Sequence, residues 1–303
     1  MYVLMGANGN ITSNAARRLL QQGARVKVIG RDSGHLRPLE DAGAEAAAGN
    51  AMDVRFLTTA FRDAQAVYTM IPPDLAARDF RAYQDSMGKA IVQALIESGV
   101  KVVVNLSSAG ASLPDGTGPI AGLHRQEQRL NQLEEVDILH LRAGFFMENH
   151  LHAIDLIRAS GIYPDMLAPN VPIPMIATED IAAVVADELM HPGFTGHVVR
   201  HLLGPRSCTM NEAAHILGAA IGRPDLKYVQ ADPEDAKTGM VQMGISRDVA
   251  DQFEEMSRAF SDGLINGTFV RDATNSTPTT LESFARRFAQ SYEMTGAQRG
   301  ELR

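Results

Sequence analysis

The reading of this chain turns on Tyr2-Val-Leu-Met-Gly-Ala-Asn-Gly-Asn-Ile-Thr12. Four apolar residues, Tyr2 to Met5, have the length and composition of a buried strand. The turn Gly6-Ala-Asn-Gly9 follows at once, and from Gly9 to Gln22 apolar Ile11, Ala15, Leu19 and Leu20 recur at helical spacing. A strand, a glycine turn and a helix start read as an anion-binding unit, or else as a plain tight turn without a ligand. One glycine reverses the backbone, and another lets a diphosphate approach where a β-carbon would block it. The free N–H groups and the dipole of the helix start then hold the anion. The spacing is G-x-x-G-x-x-T. Thr12 therefore occupies the position where a third small residue would seat helix on strand, and is expected either to push the helix out or to turn its hydroxyl to phosphate.

Outward from this unit, short apolar runs alternate with longer amphipathic ones. Strands are expected at Ala24–Ile29, Ala44–Ala48, Ala66–Ile71, Val100–Leu106 and Val136–Leu141. Helices are expected at Leu36–Ala42, Asp53–Phe61, Ala76–Ser98 and Gly122–Glu134, the second capped by Asp53 or Asn50. This rhythm predicts an α/β fold, a doubly wound parallel sheet of Rossmann type over residues 1–150, with its ligand crevice beyond the carboxyl ends of the strands. After Phe146 the rhythm changes, and prolines 164, 169, 172 and 174 break the chain into short pieces. Helices at Thr178–Met190, Met210–Ile221 and Thr279–Tyr292, a strand at Gly196–Leu202, and two helices within Val241–Gly263 predict a smaller, mostly helical lobe over 151–303. It would supply the substrate pocket, and some of its segments could return to the Rossmann sheet.

Composition bounds the function. The chain has 303 residues, 45% of them hydrophobic and 21% charged, which excludes a disordered chain, a collagen or a disulfide mini-protein. The net charge of −8 argues against nucleic-acid backbone binding. The single cysteine, Cys208, allows no internal disulfide and fits a reducing cytoplasm. No apolar run is long enough for a membrane span, and the first residues lack a signal-peptide pattern. A cytoplasmic protein with a small-molecule substrate is expected, and homodimerisation is left open. Cys-x-x-Cys is absent, and His197 and His201 lie on an expected strand, so no metal site is expected.

At the end of the second strand stand Gly30-Arg31-Asp32. A dinucleotide's adenosine ribose rests there. Arginine suits a 2′-phosphate and an acid suits a free 2′-hydroxyl. Arg31 comes first, so NADP(H) is favoured, while Asp32 keeps NAD(H) open.

Several blocks together resemble the NmrA-like branch of the atypical short-chain dehydrogenases. They are Gly6-Ala-Asn-Gly-Asn-Ile11, Ile29-Gly-Arg-Asp32, Gly49-Asn-Ala-Met-Asp53, Met70-Ile-Pro-Pro73, Val104-Asn-Leu-Ser-Ser108 and Leu141-Arg-Ala-Gly-Phe-Phe-Met-Glu-Asn149, the last the most specific. Weaker matches include Ala177-Thr-Glu-Asp-Ile-Ala-Ala183 and Thr277-Pro-Thr-Thr-Leu-Glu282. The family includes NADPH-dependent quinone reductases, isoflavone- and lignan-type reductases, and regulators that bind NADP without evident turnover. The resemblance implies that Gly6, Asn8, Gly9, Asn10 and Ile11 hold the pyrophosphate and Arg31 the 2′-phosphate. It also implies that Met70, Ile71 and Pro72 line the cofactor, that Ser107 and Ser108 lie near the nicotinamide or the substrate, and that Gly144, Phe145 and Phe146 close over the nicotinamide end. Pro72-Pro73 also reads as a plain strand terminator, and the phenylalanines as ordinary core.

The Tyr-x-x-x-Lys pair that short-chain dehydrogenases commonly use is absent, and no lysine lies between Lys101 and Lys227. Reductases of this family carry lysine or histidine a turn before a glutamate. Anchored on Glu127, that position falls on Leu123, with His124 beside it. His124 is thus the candidate catalytic proton donor, since imidazole titrates near neutrality. It reads equally as a surface histidine. The expected function is NADPH-dependent hydride transfer to a small apolar electrophile such as a quinone or enone. The alternative is a non-catalytic NADP(H)-binding sensor.

Overall fold

The computed structural model describes residues 1–295 in full and the backbone of the last helix to Gly300. Six strands open the chain: β1 (Tyr2–Met5), β2 (Val26–Gly30), β3 (Glu45–Ala48), β4 (Ala66–Thr69), β5 (Val102–Ser108) and β6 (Asp137–Ala143). Between them run α1 (Asn10–Gln21), α2 (Ser33–Glu40), α3 (Val54–Phe61), α4 (Phe80–Ser98) and α5 (Pro119–Leu130). Side-chain caps fix several boundaries. Asp32 accepts from Gly34 N–H, Asp53 from Arg55 and Phe56, and Asp79 from Ala82. Hence α4 begins at Phe80, later than the apolar pattern from Ala76 suggests. The preceding residues turn on an Ala77 N–H to Asp74 carbonyl bond. Pro119 at the first turn of α5 moves its start ahead of Gly122.

The next segment contains β7 (Phe145–Phe146), α6 (Ile154–Ser160), β8 (Tyr163–Asp165), β9 (Ile173–Ile176), α7 (Thr178–Met190) and β10 (His197–Leu202). The chain then forms β11 (Ser207–Cys208), α8 (Met210–Ala220), β12 (Tyr228–Gln230), α9 (Pro233–Gln242), α10 (Arg247–Ser261) and α11 (Leu281–Gly300).

The main sheet is parallel throughout, in the order β10-β6-β5-β4-β1-β2-β3. Tyr2 stands in register with Val26 on one side and Ala66 on the other. The strand order therefore reverses beside β1, and the crevice opens above its carboxyl end. Burial on both faces explains the unbroken apolar strands. Leu4, Val28, Tyr68, Val104 and Leu139 pack with Leu19 of α1 and Ile181, Val185 and Leu189 of α7. Val3, Met5, Ile29, Val67, Val103 and Ile138 pack on the other face with Phe61, Ile91 and Leu95. The seventh strand, β10, comes from beyond residue 150, and α7 supplies its crossover.

The remaining chain, the lobe, packs around a further core that includes Ile157, Tyr163, Met175, Leu217, Phe260 and Phe288 and takes in Ala109, Ala111 and Ile120 from the first half. It also holds small sheets, β11-β9-β7 and β12-β8. Pro164 and Pro174 lie inside β8 and β9. Proline removes one ladder donor, which strands of three and four residues tolerate.

Candidate functional site

The turn after β1 is built from backbone. Gly6 N–H and Ala7 N–H donate to the Ile29 carbonyl at 3.1 and 3.0 Å, and Gly9 N–H donates to Gly6 at 2.9 Å. Gly6 has φ +78°, and a β-carbon there would lie 2.9 Å from Met70 Sδ. Glycine at this position thus satisfies both the left-handed backbone and the close approach of Met70. Thr12 departs from both expectations. Its hydroxyl donates inward to the Met5 carbonyl at 2.7 Å, so it ties helix to strand and does not turn to the phosphate side.

The start of α1 is bare. Its N-cap is Gly9, no side chain caps it, and its first turn has no acid. Asn8, Gly9 and Asn10 are exposed, and Ile11 is buried beneath them. Uncapped N–H groups and an unopposed dipole leave an anion cradle at the crevice.

At the end of β2, Arg31 is exposed and makes no hydrogen bond or ion pair among the described residues. Asp32 is already committed. Its Oδ1 caps α2 at 2.7 Å from Gly34 N, and its Oδ2 lies 3.8 Å from His35 Nδ1. Tyr83 flanks this end, donating its hydroxyl to the Pro72 carbonyl at 2.7 Å. Burial and then the Asp74 carboxylate push the phenol's pKa up, while Arg31 opposes them, so all three groups share one neighbourhood. Ile71 is buried, and Pro72 is partly exposed beside it.

Beneath the carboxyl ends of β5 and β6 lies a buried polar array. Ser107 donates to Glu127 Oε1 at 2.5 Å, and Arg142 grips the same carboxylate through two N–H donors at 3.0 and 2.6 Å. The Ser107 hydroxyl is therefore committed to a buried carboxylate. Ser108 donates to the Ala109 carbonyl at 3.0 Å. Alongside, Thr69 donates to Asn105 Oδ1, Asn105 Nδ2 reaches His140 Nδ1 at 3.2 Å, and His140 Nε2 meets Asn131 Oδ1 at 2.9 Å. The Asn105 donor fixes His140 as the neutral Nε2–H tautomer, and burial holds its pKa down at about 4. These groups orient one another and the strand ends.

His124 is half-buried on α5, with Nδ1 2.9 Å from the Ala111 carbonyl. A carbonyl only accepts, so Nδ1 carries the proton and the Nε2 lone pair is left free of it. Gly144 is required by packing, because a β-carbon would lie 2.2 Å from the Pro174 carbonyl of β9. That contact seats the next two residues. Phe145 meets Phe260 edge-on at 6.2 Å and His150 at 5.7 Å, facing the lobe core. Phe146 packs toward the sheet.

Sequence reasoning missed the Ser107–Glu127–Arg142 and Thr69–Asn105–His140 arrays. Their signal was present: Asn105 and Arg142 interrupt otherwise apolar strands. It also missed Glu148, which is buried and accepts the Thr178 N–H at 3.0 Å and its hydroxyl at 2.5 Å, capping α7. Arg287 of α11 bridges this carboxylate (Nη1–Oε1 3.2 Å) and Asn10 Oδ1 (3.3 Å).

The fold matches known structures along nearly its whole length. Against the NADPH-dependent quinone oxidoreductase of Escherichia coli complexed with NADPH, the TM-score is 0.78 at 20% identity, covering 98% of this chain and 100% of the other. The triphenylmethane reductase of Citrobacter complexed with NADP(H) gives 0.75 at 19% identity, covering 95% and 100%. In sequence, the chain is 29% identical over 296 residues to an NAD(P)H azoreductase of Xenophilus azovorans, covering 96% of this chain and 99% of that protein. An uncharacterised oxidoreductase of Bacillus subtilis, YesF, is 27% identical, covering 93% of each. The NmrA-like family model matches residues 2–285, and the chain belongs to that family.

Proposed function

We propose that this protein is an NADPH-dependent reductase that delivers hydride to a small apolar electrophile, a quinone, an enone or an azo compound. One observation carries the reading. The bare N-terminus of α1 stands over a glycine turn, beside an unpaired Arg31 and an Asp32 already spent on a helix cap. That combination suits a diphosphate and a 2′-phosphate better than a free ribose 2′-hydroxyl, and leaves NADH the weaker ligand. The names of the azoreductase, quinone oxidoreductase and triphenylmethane reductase support the same chemistry.

When bound, the nicotinamide supplies the hydride. The residues of this chain do the rest. The turn Gly6 to Ile11 cradles the diphosphate, which faces the uncapped N–H groups at the start of α1, with Asn8 and Asn10 at the rim. Arg31 pairs with the 2′-phosphate. Met70, Ile71 and Pro72 form an apolar side wall. Ser107 fixes the end of β5 through Glu127, and Ser108 stands at its rim. Gly144 sets Phe145 against the lobe and Phe146 against the sheet, where they help exclude water. His124 holds or releases a proton at Nε2, which balances substrates that become anionic on reduction. An acceptor that stabilises its own anion, or one already cationic, needs that proton least.

The test is NADPH oxidation across quinones, enones, azo dyes and aldehydes, with NADPH affinity measured in parallel. Saturable turnover with at least one class is expected. Tight NADPH binding with background turnover on every class would overturn the enzyme reading in favour of a sensor.

A further inference from the structure

We infer that Arg287, on the C-terminal helix, is a cofactor-positioning residue that couples the lobe to the diphosphate cradle. The inference rests on the NADPH reading above. Arg287 is separated from Asn10 by 277 residues, yet its Nη2 donates to the Asn10 side chain at 3.3 Å. Asn10 is the first residue of α1, at the mouth of the uncapped N-terminus. The other arm, Nη1, is held 3.2 Å from the buried carboxylate of Glu148. Glu148 is itself fixed by the N–H and hydroxyl of Thr178. The guanidinium is thus braced from behind. Its side chain is 42% exposed, and its remaining N–H groups have no partner among the described residues.

Three consequences follow from charge and geometry. The braced cation sits beside the only turn of α1 that offers free amides, so it adds positive potential where the diphosphate charge lies. It holds the Asn10 side chain clear of the amides. It also ties α11 to the phosphate loop, so docking of the lobe and filling of the cradle favour each other. A purely structural role, as counter-ion to Glu148, would affect folding without distinguishing ligands by their phosphates.

The experiment therefore compares ligands. Calorimetry on the wild type, Arg287→Gln and Arg287→Lys uses NADPH, 2′-phospho-ADP-ribose and 2′-AMP, which lacks the diphosphate. Arg287→Gln is expected to weaken NADPH and 2′-phospho-ADP-ribose about tenfold, as loss of one charge-assisted contact implies. 2′-AMP should be unchanged, and Arg287→Lys should recover part of the loss. The difference should also shrink as salt rises. Equal weakening of all three ligands, or unchanged affinity for all, overturns the inference. If Arg287→Gln fails to fold, Arg287→Lys with the same ligands decides, because its point charge keeps the Glu148 pair but reaches Asn10 less well. Failure of the wild type to bind NADPH would instead overturn the functional reading.

Discussion

Replacing Arg31 with alanine removes a charge without disturbing the fold. The side chain is exposed and makes no hydrogen bond or ion pair among the described residues, so thermal stability should not move. The effect should appear only when a 2′-phosphate is present. A hydrogen bond to a charged group contributes about 1.5–3 kcal/mol, and exposure places this one toward the lower end, at about 1.5–2 kcal/mol. At 1.4 kcal/mol per decade, the Kd for NADPH should rise roughly ten- to thirtyfold. The Kd for NADH should change less than about twofold, since nothing that arginine holds is lost. Asp32→Asn supplies the complement. The Asp32 carboxylate caps α2 through Gly34 at 2.7 Å, and asparagine caps equally well, so neither nucleotide should bind differently. Titration calorimetry of both variants with both nucleotides, at low and moderate salt, measures all of this. In the wild type, the preference for NADPH should narrow as salt screens the exposed pair. Equal weakening of NADPH and NADH by Arg31→Ala would refute the reasoning, because Arg31 would then act on the shared part of the cofactor. So would a gain in NADH affinity from Asp32→Asn, which would mean that Asp32 had been available to the ribose.

Burial holds His140 and His150 neutral, each with its pKa lowered from 6.5 to about 4. Their stability contribution is therefore complete above pH 6.5 and is lost as pH falls toward 4; at pH 5 each costs about 2 kcal/mol. The buried Asp165 carboxyl, whose pKa is raised, offsets part of this. Urea unfolding at pH 7 and pH 5 checks the sum, and equal midpoints would contradict it. Gly144→Ala places a methyl 2.2 Å from the Pro174 carbonyl and should destabilise by about 1–3 kcal/mol, read as a lower unfolding midpoint. Gly6→Ala forces a β-carbon at φ +78° against Met70 and should weaken NADPH more than it lowers the unfolding midpoint. His124→Gln should lower kcat about a hundredfold for substrates that need a proton, leaving the NADPH Kd unchanged. An unaltered kcat would remove His124 from the chemistry.

How much could be read from the sequence follows from how far apart the interacting residues lie. β1, its turn and α1 are encoded within twenty-one residues, by an apolar run, two glycines and a 3.6-residue period, so they are readable at once. Asp53 announces its own helix because a cap acts on N–H groups two and three residues away. The places of α7 and β10 are a different matter. Their periodicity is plain, but only pairing with β6 makes β10 the edge of the main sheet, and no local signal encodes that choice. β9 and its neighbours were obscured because prolines argue against strands. Gly144 and Gly204, which let the β9 carbonyls approach, look like ordinary loop glycines until the crossing is seen.

The candidate site divides along the same line. Its phosphate half is made of consecutive backbone and is legible. Its reactive half is made of pairs, Ser107 with Glu127 and Asn105 with His140, and one distant pair, Arg287 with Asn10, joins the phosphate half. From sequence, each appears only as a polar residue out of place. Such residues carry a definite physical meaning, since a buried polar group is costly unless it is satisfied. Asn105 inside Val-Val-Val-Asn-Leu and Arg142 inside Leu-His-Leu-Arg-Ala therefore require partners, even when the chain does not say which. The partners lie on neighbouring elements: Asn105 meets Thr69 of β4 and His140 of β6, and Arg142 meets Glu127 of α5. The sheet thus carries polar groups both at mid-strand, in Asn105 and His140, and at the strand ends, in Ser107 and Arg142, each satisfied by a partner. Glu127, which braces Ser107 and Arg142, shares α5 with His124, so the helix that carries His124 is held by the carboxylate and not by the imidazole; removal of His124 should be felt in the chemistry and not in the fold.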